Sequence, residues 1–291
     1  MGRPDEPKAA PCSDNWPLGG EMPVGYAQGK WLALKALATQ ARFFTNWNEV
    51  FSAYRAGRNL PPLRLRSGLT LYHAPNDDIW ALFEEIFVAR CYSRPDFFNP
   101  RPDQCVLDCG ANVGTFAIYL QSVAPGIRVN CFEPAASTRR RLQENITANH
   151  LDGLVQIHPF AVFDHEGELK LPQAAFAGSS SFFDTQAPQG AVETVQCTTL
   201  SHAVALCGSA PIDLLKIDVE GAELEILEST EADNPTLWES IPRVVMEYHE
   251  AIRPGCRDRL MALLRPHYPN VEAWPTSPNG GLGIIQATRL G

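Results

Sequence analysis

Beyond Pro102, short apolar runs alternate with amphipathic stretches, and no other feature of the chain constrains its fold so tightly. Runs near 104–108, 128–132, 154–158, 212–217 and 242–248 have strand length, and the segments near 114–124, 137–150 and 221–229 carry helical periodicity. Parallel strands cannot be joined by a tight turn, so the chain must cross over between them, usually as a helix. The alternation therefore predicts an open α/β sheet covered by helices on both faces. A later helix within 255–268 and closing strands at 270–275 and 282–288 complete it. Such sheets bind ligands outside the carboxyl ends of their strands, so the residues just after each strand are the first candidates for function.

The chain divides into three parts. Residues 1–22 are polar and rich in Pro and Gly; without the apolar core of a secretory signal, they are expected to be a disordered lead-in. Residues 23–100 form an extension: Trp31, Leu34, Leu37, Ala38 and Ala41, then Trp47, Val50, Phe51 and Tyr54, recur at helical spacing. In it, LRLRSGLTLYH predicts a hairpin around Ser67-Gly68, and a further helix through Trp80, Phe83, Ile86 and Phe87 is expected to be capped by Asp77 or Asp78. Its apolar stripes are expected to pack on the α/β domain or on a second copy, as in a homodimer. Residues 101–291 are that domain. With 24 basic against 33 acidic side chains and a net charge of −9, nucleic acid is not the expected partner. No apolar run reaches bilayer length, and the eight cysteines show no CxxC spacing, so the chain is expected to be cytoplasmic, without stable membrane insertion and without structural zinc.

The densest chemistry lies in CVLDCGANVGTFAIYL, residues 105–120, where a strand ends at Asp108 and a turn containing Gly110, Asn112 and Gly114 leads into a helix. Its GxxxG spacing differs from the GxGxxG of dinucleotide proteins, which speaks against a nicotinamide oxidoreductase. Twenty-five residues on, the second strand ends in CFEP and places Glu133 where open α/β folds hold ribose hydroxyls. Together these point to an adenosine-like cofactor.

DCGANVG at 108–114, FEP at 132–134, LQENITAN at 142–149, GSSS at 178–181 and above all LLKIDVEGAELEIL at 214–227 resemble the FkbM family of class I S-adenosylmethionine (SAM) dependent methyltransferases. The resemblance implies a Rossmann-like class I methyltransferase sheet, mostly parallel with its last strand antiparallel, carrying the N-terminal helix and hairpin extension. It also implies SAM as cofactor, with Asp108, Gly110, Asn112 and Gly114 around its methionine part, Glu133 on the ribose, Ala161 and Val162 beside the adenine, and Asp218 near the transferred methyl. The implied activity is methylation of a hydroxyl oxygen on a small-molecule acceptor, such as a sugar or secondary metabolite. N-methylation and a catalytically silent methyltransferase-like binding module are the alternatives.

An alcohol acceptor must lose a proton. Lys216, Asp218 and Glu220 alternate at one strand end, which predicts that all three share a face, and the neighbouring strand offers Glu247 and His249. Two readings follow. In one, His249 or a carboxylate takes the proton while Lys216 balances charge; in the other, Asp218, Glu220, Glu247 and His249 hold a divalent cation. The metal-free reading is favoured, because Lys216 gives the carboxylates an ordinary ion-pair partner. The basic run Arg139–Arg141 is expected to be a solvated helix face.

Overall fold

The computed structural model of the chain describes residues 39, 41–75, 77–172, 192–277 and 279–289. The lead-in expected over 1–22, the stripe residues Trp31, Leu34, Leu37 and Ala38, and the GSSS stretch at 178–181 lie outside them. The extension contains α1 (Trp47–Arg55), a hairpin of β1 (Leu63–Arg64) and β2 (Thr70–Leu71), and α2 (Ile79–Phe83), which runs on as π-helix over Glu84–Ala89. The alternating segments of the domain become β3 (Cys105–Cys109), α3 (Thr115–Val123), β4 (Arg128–Phe132), α4 (Ala136–Ala148) and β5 (Val155–His158). After a small side sheet come α5 (Leu200–Leu206), β9 (Leu214–Ile217), α6 (Glu223–Asp233), β10 (Arg243–Tyr248), α7 (Cys256–Leu264), β11 (Asn270–Pro275) and β12 (Gly283–Thr288).

Seven strands form the main sheet in the order β11-β12-β10-β9-β3-β4-β5, all parallel except β12, which runs against both of its neighbours. From β3 the chain first winds toward β5 and later toward β10, so the switch in winding direction falls between β3 and β9. Their carboxyl ends carry Asp108 and Asp218, and a crevice at such a switch is where open α/β sheets bind ligands.

Period-two alternation sorts the strand side chains into two cores. Val106, Val129, Leu214 and Val245 face α3 and α4, while Cys105, Leu107, Leu215 and Met246 face α6 and α7. The extension belongs to the first core: Phe44, Leu63, Leu71, Phe83 and Phe87 are buried with Phe116 and Leu142. Two asparagines one turn apart, Asn145 in the last turns of α4 and Asn149 capping its C-terminus, fix the hairpin against the domain. Asn145 accepts from Tyr72 N–H at 2.7 Å and donates to Tyr72 C=O at 3.0 Å; Asn149 does the same to Thr70, both at 2.7 Å. Each side-chain amide thus replaces a strand partner for an edge that would otherwise present unpaired peptide groups.

The same helix overturns two expectations. Asp77 and Asp78 make no side-chain cap on α2. Asp77 instead accepts from Ala74 N–H and pairs at 2.8 Å with Arg141, so its fully buried carboxylate is compensated. Arg141 therefore serves the extension rather than a solvated face, and Arg139 donates to the carbonyls of Glu133 and Pro134.

A three-stranded side sheet lies outside the expected pattern: β6 (Phe160–Phe163) pairs parallel to β8 (Val192–Thr199), which pairs antiparallel to β7 (Gly167–Pro172). Among the described residues, no helix is long and apolar enough to cross a membrane.

Candidate active site

The loop after β3 is shaped by backbone rather than by side chains. Gly110 and Ala111 both donate their N–H to Phe132 C=O at 3.0 Å, which turns the chain back over β4. Gly110 sits at φ +82°, and a Cβ there would lie 1.7 Å from the carbonyl oxygen of Asp218. Only glycine allows the loops after β3 and β9 to meet this closely. Asn112, at φ +51°, turns the chain again with its side-chain oxygen on Val113 N–H. Gly114, at φ +87°, packs on Leu142, whose Cδ1 would lie 2.5 Å from a Cβ.

Glu133 follows β4 and is buried. Its two carboxylate oxygens accept from Asn112 N–H at 3.0 Å and Ala135 N–H at 2.9 Å, so the glycine loop and the start of α4 hold it in place. Burial nevertheless pushes its carboxyl up to about 7, against the lowering by those two N–H groups. It lines a cavity with Gly110, Asn112, Phe132, Thr138 and, from the side sheet, Phe160, Ala161, Val162 and Leu171. At one end the wall is Asp218, Val219 and Glu220. A carboxylate for a diol, apolar walls for a base and a carboxylate for an ammonium fit SAM.

Beyond Asp218 lies a buried charge cluster. The register sets Asp108 opposite Lys216 across β3 and β9, and Lys216 Nζ reaches Asp108 at 2.9 Å, Asp218 at 3.4 Å and Gly110 C=O at 3.1 Å. Burial raises the Asp108 carboxyl more than Lys216 lowers it. At Asp218 burial acts in the same sense, but Lys216 and His249 outweigh it and hold the carboxyl below its ordinary value. His249, 2% exposed, has Nδ1 at 3.0 Å from Glu223 and Nε2 at 3.3 Å from Glu220 and 3.6 Å from Glu247. Burial favours the neutral ring, yet Glu223 and its companions outweigh burial and hold the imidazole well above its ordinary value. Burial, with Asp218 and Glu85 adding to it, drives the Glu247 carboxyl well up.

The structure gathers the residues named from the sequence at one end of the sheet but gives them different positions. Gly110, Asn112, Glu133, Ala161, Val162, Asp218 and Glu220 line the cavity. Asp108 and Lys216 lie behind its wall as an ion pair, and Glu247 and His249 stand beyond Asp218. Lys216, Asp218 and Glu220 do not share a face by strand alternation: β9 ends at Ile217, and Glu220 reaches the cavity through a turn at φ +56°.

Three residues of the cluster escape sequence reasoning. Glu223 accepts from Val219 N–H and Gly221 N–H and lies 3.0 Å from His249 Nδ1. Tyr92, from the extension, donates to Asp218 Oδ2 at 3.2 Å and lies under Lys216. Glu85 lies on the π-helical stretch; burial, with Asp218 adding to it, pushes its carboxyl up to about 7. The one sequence signal was the excess of acidic residues around 84–85 and 220–225, which helical surfaces also show.

A family model described as "Methyltransferase FkbM domain" matches residues 108–267. The 31-O-demethyl-FK506 methyltransferase FkbM of Streptomyces tacrolimicus is 31% identical over 234 residues, covering 70% of this chain and 87% of its own. Methyltransferase sdnD of Sordaria araneosa is 28% identical over 235 residues, covering 71% of this chain and 88% of its own. Among solved structures, the methyltransferase FkbM from Methylobacillus flagellatus aligns with a TM-score of 0.47 at 14% identity, over 90% of this chain and 60% of that one. The matched span opens at Asp108, closes just beyond α7 and takes in the glycine loop, Glu133 and the whole β9 motif, and on this ground the chain belongs to the FkbM family of SAM-dependent methyltransferases.

Proposed function

We propose that the enzyme methylates a hydroxyl oxygen of a small molecule. The observation that carries this reading is the carboxylate wall at one end of the cavity, where Asp218 and Glu220 stand beside the loop that Gly110 turns. Bound SAM supplies a methyl group on a sulfonium, open to displacement by an oxygen nucleophile. Glu133 would hold the ribose hydroxyls, Ala161, Val162 and Phe132 would wall the adenine, and Asp218, fixed by Lys216 and Tyr92, would face the ammonium end.

The remaining requirement is a group to take the hydroxyl proton. His249 is poorly suited, since carboxylates flank both ring nitrogens and keep a proton on the imidazole. Of the two carboxylates at the Asp218 end of the cavity, Asp218 is paired with Lys216 while Glu220 has no lysine partner among the described ion pairs, and we assign Glu220 this role. The Streptomyces relative is a 31-O-demethyl-FK506 methyltransferase, which supports oxygen as the acceptor atom.

Incubation with methyl-labelled SAM and a panel of hydroxyl- and amine-bearing small molecules tests the reading, with NMR of the labelled product. The labelled methyl is expected at an O–CH3 shift. Label found only on nitrogen would overturn the oxygen assignment, and SAM binding without turnover on any acceptor would favour a binding module.

A further inference from the structure

The ends of β9 and β10 bring one carboxylate oxygen of Asp218, one of Glu247 and a ring nitrogen of His249 within 4.8 Å of one another. Acidic groups cluster for many reasons, and three observations set this group apart. First, His249 is all but sealed from solvent and its Nδ1 faces Glu223 at 3.0 Å. The same Glu223 oxygen accepts from Val219 and Gly221 N–H, which fixes it in place beside Nδ1. A carboxylate behind the far ring nitrogen is the usual support of a metal-ligating histidine, because it sets the tautomer and aims the other nitrogen.

Second, Nε2 lies 3.3 Å from Glu220 and 3.6 Å from Glu247, beyond the span of about 2.7–2.9 Å for a charge-assisted hydrogen bond. A nitrogen lone pair and carboxylate oxygens held at this spacing suit donors that share a cation. Third, Asp218 Oδ1 is closed off from solvent and has no hydrogen-bond partner, while Lys216 and Tyr92 are engaged with Oδ2. The orphaned oxygen lies in the same three-residue group.

We infer that Asp218, Glu247 and His249 form a divalent-cation site beside the cavity, with Glu223 as the positioning residue that orients His249. Two carboxylates and one imidazole form a donor set of intermediate hardness, suited to manganese with magnesium as competitor. Ligation needs the Nε2 lone pair, so a proton held there leaves to solvent as the cation enters. Since Asp218 also lines the cavity, a cation here would act at the acceptor end and make an acceptor hydroxyl more acidic. The inference rests on the methyl-transfer reading for what the cation would do there, not for its binding.

The test uses the full chain, freed of metal with a chelator and titrated with Mn2+. The electron paramagnetic resonance signal of the free ion is followed, with Mg2+ as competitor, and calorimetry with S-adenosylhomocysteine is run on the same samples. We expect one Mn2+ per chain, displaced by Mg2+ and bound with proton release. Glu247→Gln and Glu223→Gln should each weaken it by roughly 10–100-fold while S-adenosylhomocysteine still binds. Absence of saturable Mn2+ binding up to about 1 mM, in a chain that binds S-adenosylhomocysteine, would overturn the site and leave His249 a plain imidazolium. Unchanged Mn2+ affinity in Glu247→Gln would overturn it equally, by placing the ion elsewhere. Mn2+ binding without S-adenosylhomocysteine binding would sink the methyltransferase reading and leave the cation site standing.

Discussion

Around Gly110 and Glu133 the polar contacts come from peptide groups close in sequence, whereas around Asp218 and His249 they come from side chains brought together from distant segments. Glu133 is gripped by the N–H groups of Asn112 and Ala135, and the loop itself hangs from Phe132 C=O. Asp218, by contrast, meets Tyr92 across 126 positions, and His249, just after β10, meets Glu223 at the start of α6. A site built from backbone tolerates little change in shape; one built from charges tolerates little change in balance. The cofactor end should therefore fail by steric disruption, and the acceptor end by loss of single groups.

Gly110→Ala should show the largest effect. Its Cβ would meet the Asp218 carbonyl, which no side-chain rotation can clear, in a backbone conformation unsuited to alanine. We expect a loss of roughly 2–4 kcal/mol in stability and no measurable S-adenosylhomocysteine binding, read by thermal melting and calorimetry. If the variant binds normally, the cofactor end is softer than its geometry implies.

Glu133→Ala comes next. It removes the diol acceptor and should weaken S-adenosylhomocysteine by roughly 10–100-fold, the worth of hydrogen bonds to a charged group. The same carboxylate gives a pH dependence. Its carboxyl, raised to about 7, is ionised above that value and takes up a proton below it. Affinity should thus hold steady at higher pH and fall by up to about tenfold per unit below 7. Calorimetry from pH 6 to pH 8 would show it, and Glu133→Gln should abolish the slope; a slope that survives belongs to another group.

Tyr92→Phe probes the other end and should have the smallest effect. Losing one hydrogen bond to Asp218 should cost about 1 kcal/mol, a drop of about 2–4 °C in melting temperature for a chain of this size, with S-adenosylhomocysteine affinity nearly unchanged. A large loss of affinity here would mean that the two ends are not separable.

The same contrast explains what the sequence disclosed. The strands and helices of the main sheet lie within a few residues of where apolar periodicity places them, and Gly110 and Glu133 are readable because their tasks follow from their own strand ends. The side sheet is less legible, since β7 and β8 are exposed on one face and far apart along the chain, although Glu168-Leu169-Lys170-Leu171 does alternate. Glu85, Tyr92 and Glu223 are illegible for another reason: a buried acidic side chain differs from a surface one only in its neighbours, and these neighbours are set by tertiary packing. Asp77 and Arg141 mislead in the same way, each having an ordinary local role that a distant partner overrides.

The amide clamp of Asn145 and Asn149 on Tyr72 and Thr70 bears on how the chain is born. The hairpin leaves the ribosome first, but its docking partners lie 73 and 79 residues downstream. At roughly 5–20 residues per second, the hairpin and the aromatic side chains of α2 wait roughly 4–16 s for the helix that covers them. During that interval Phe83 and Phe87 have no domain to pack on, so synthesis at higher temperature or without chaperones should expose this extension, rather than the sheet, to aggregation.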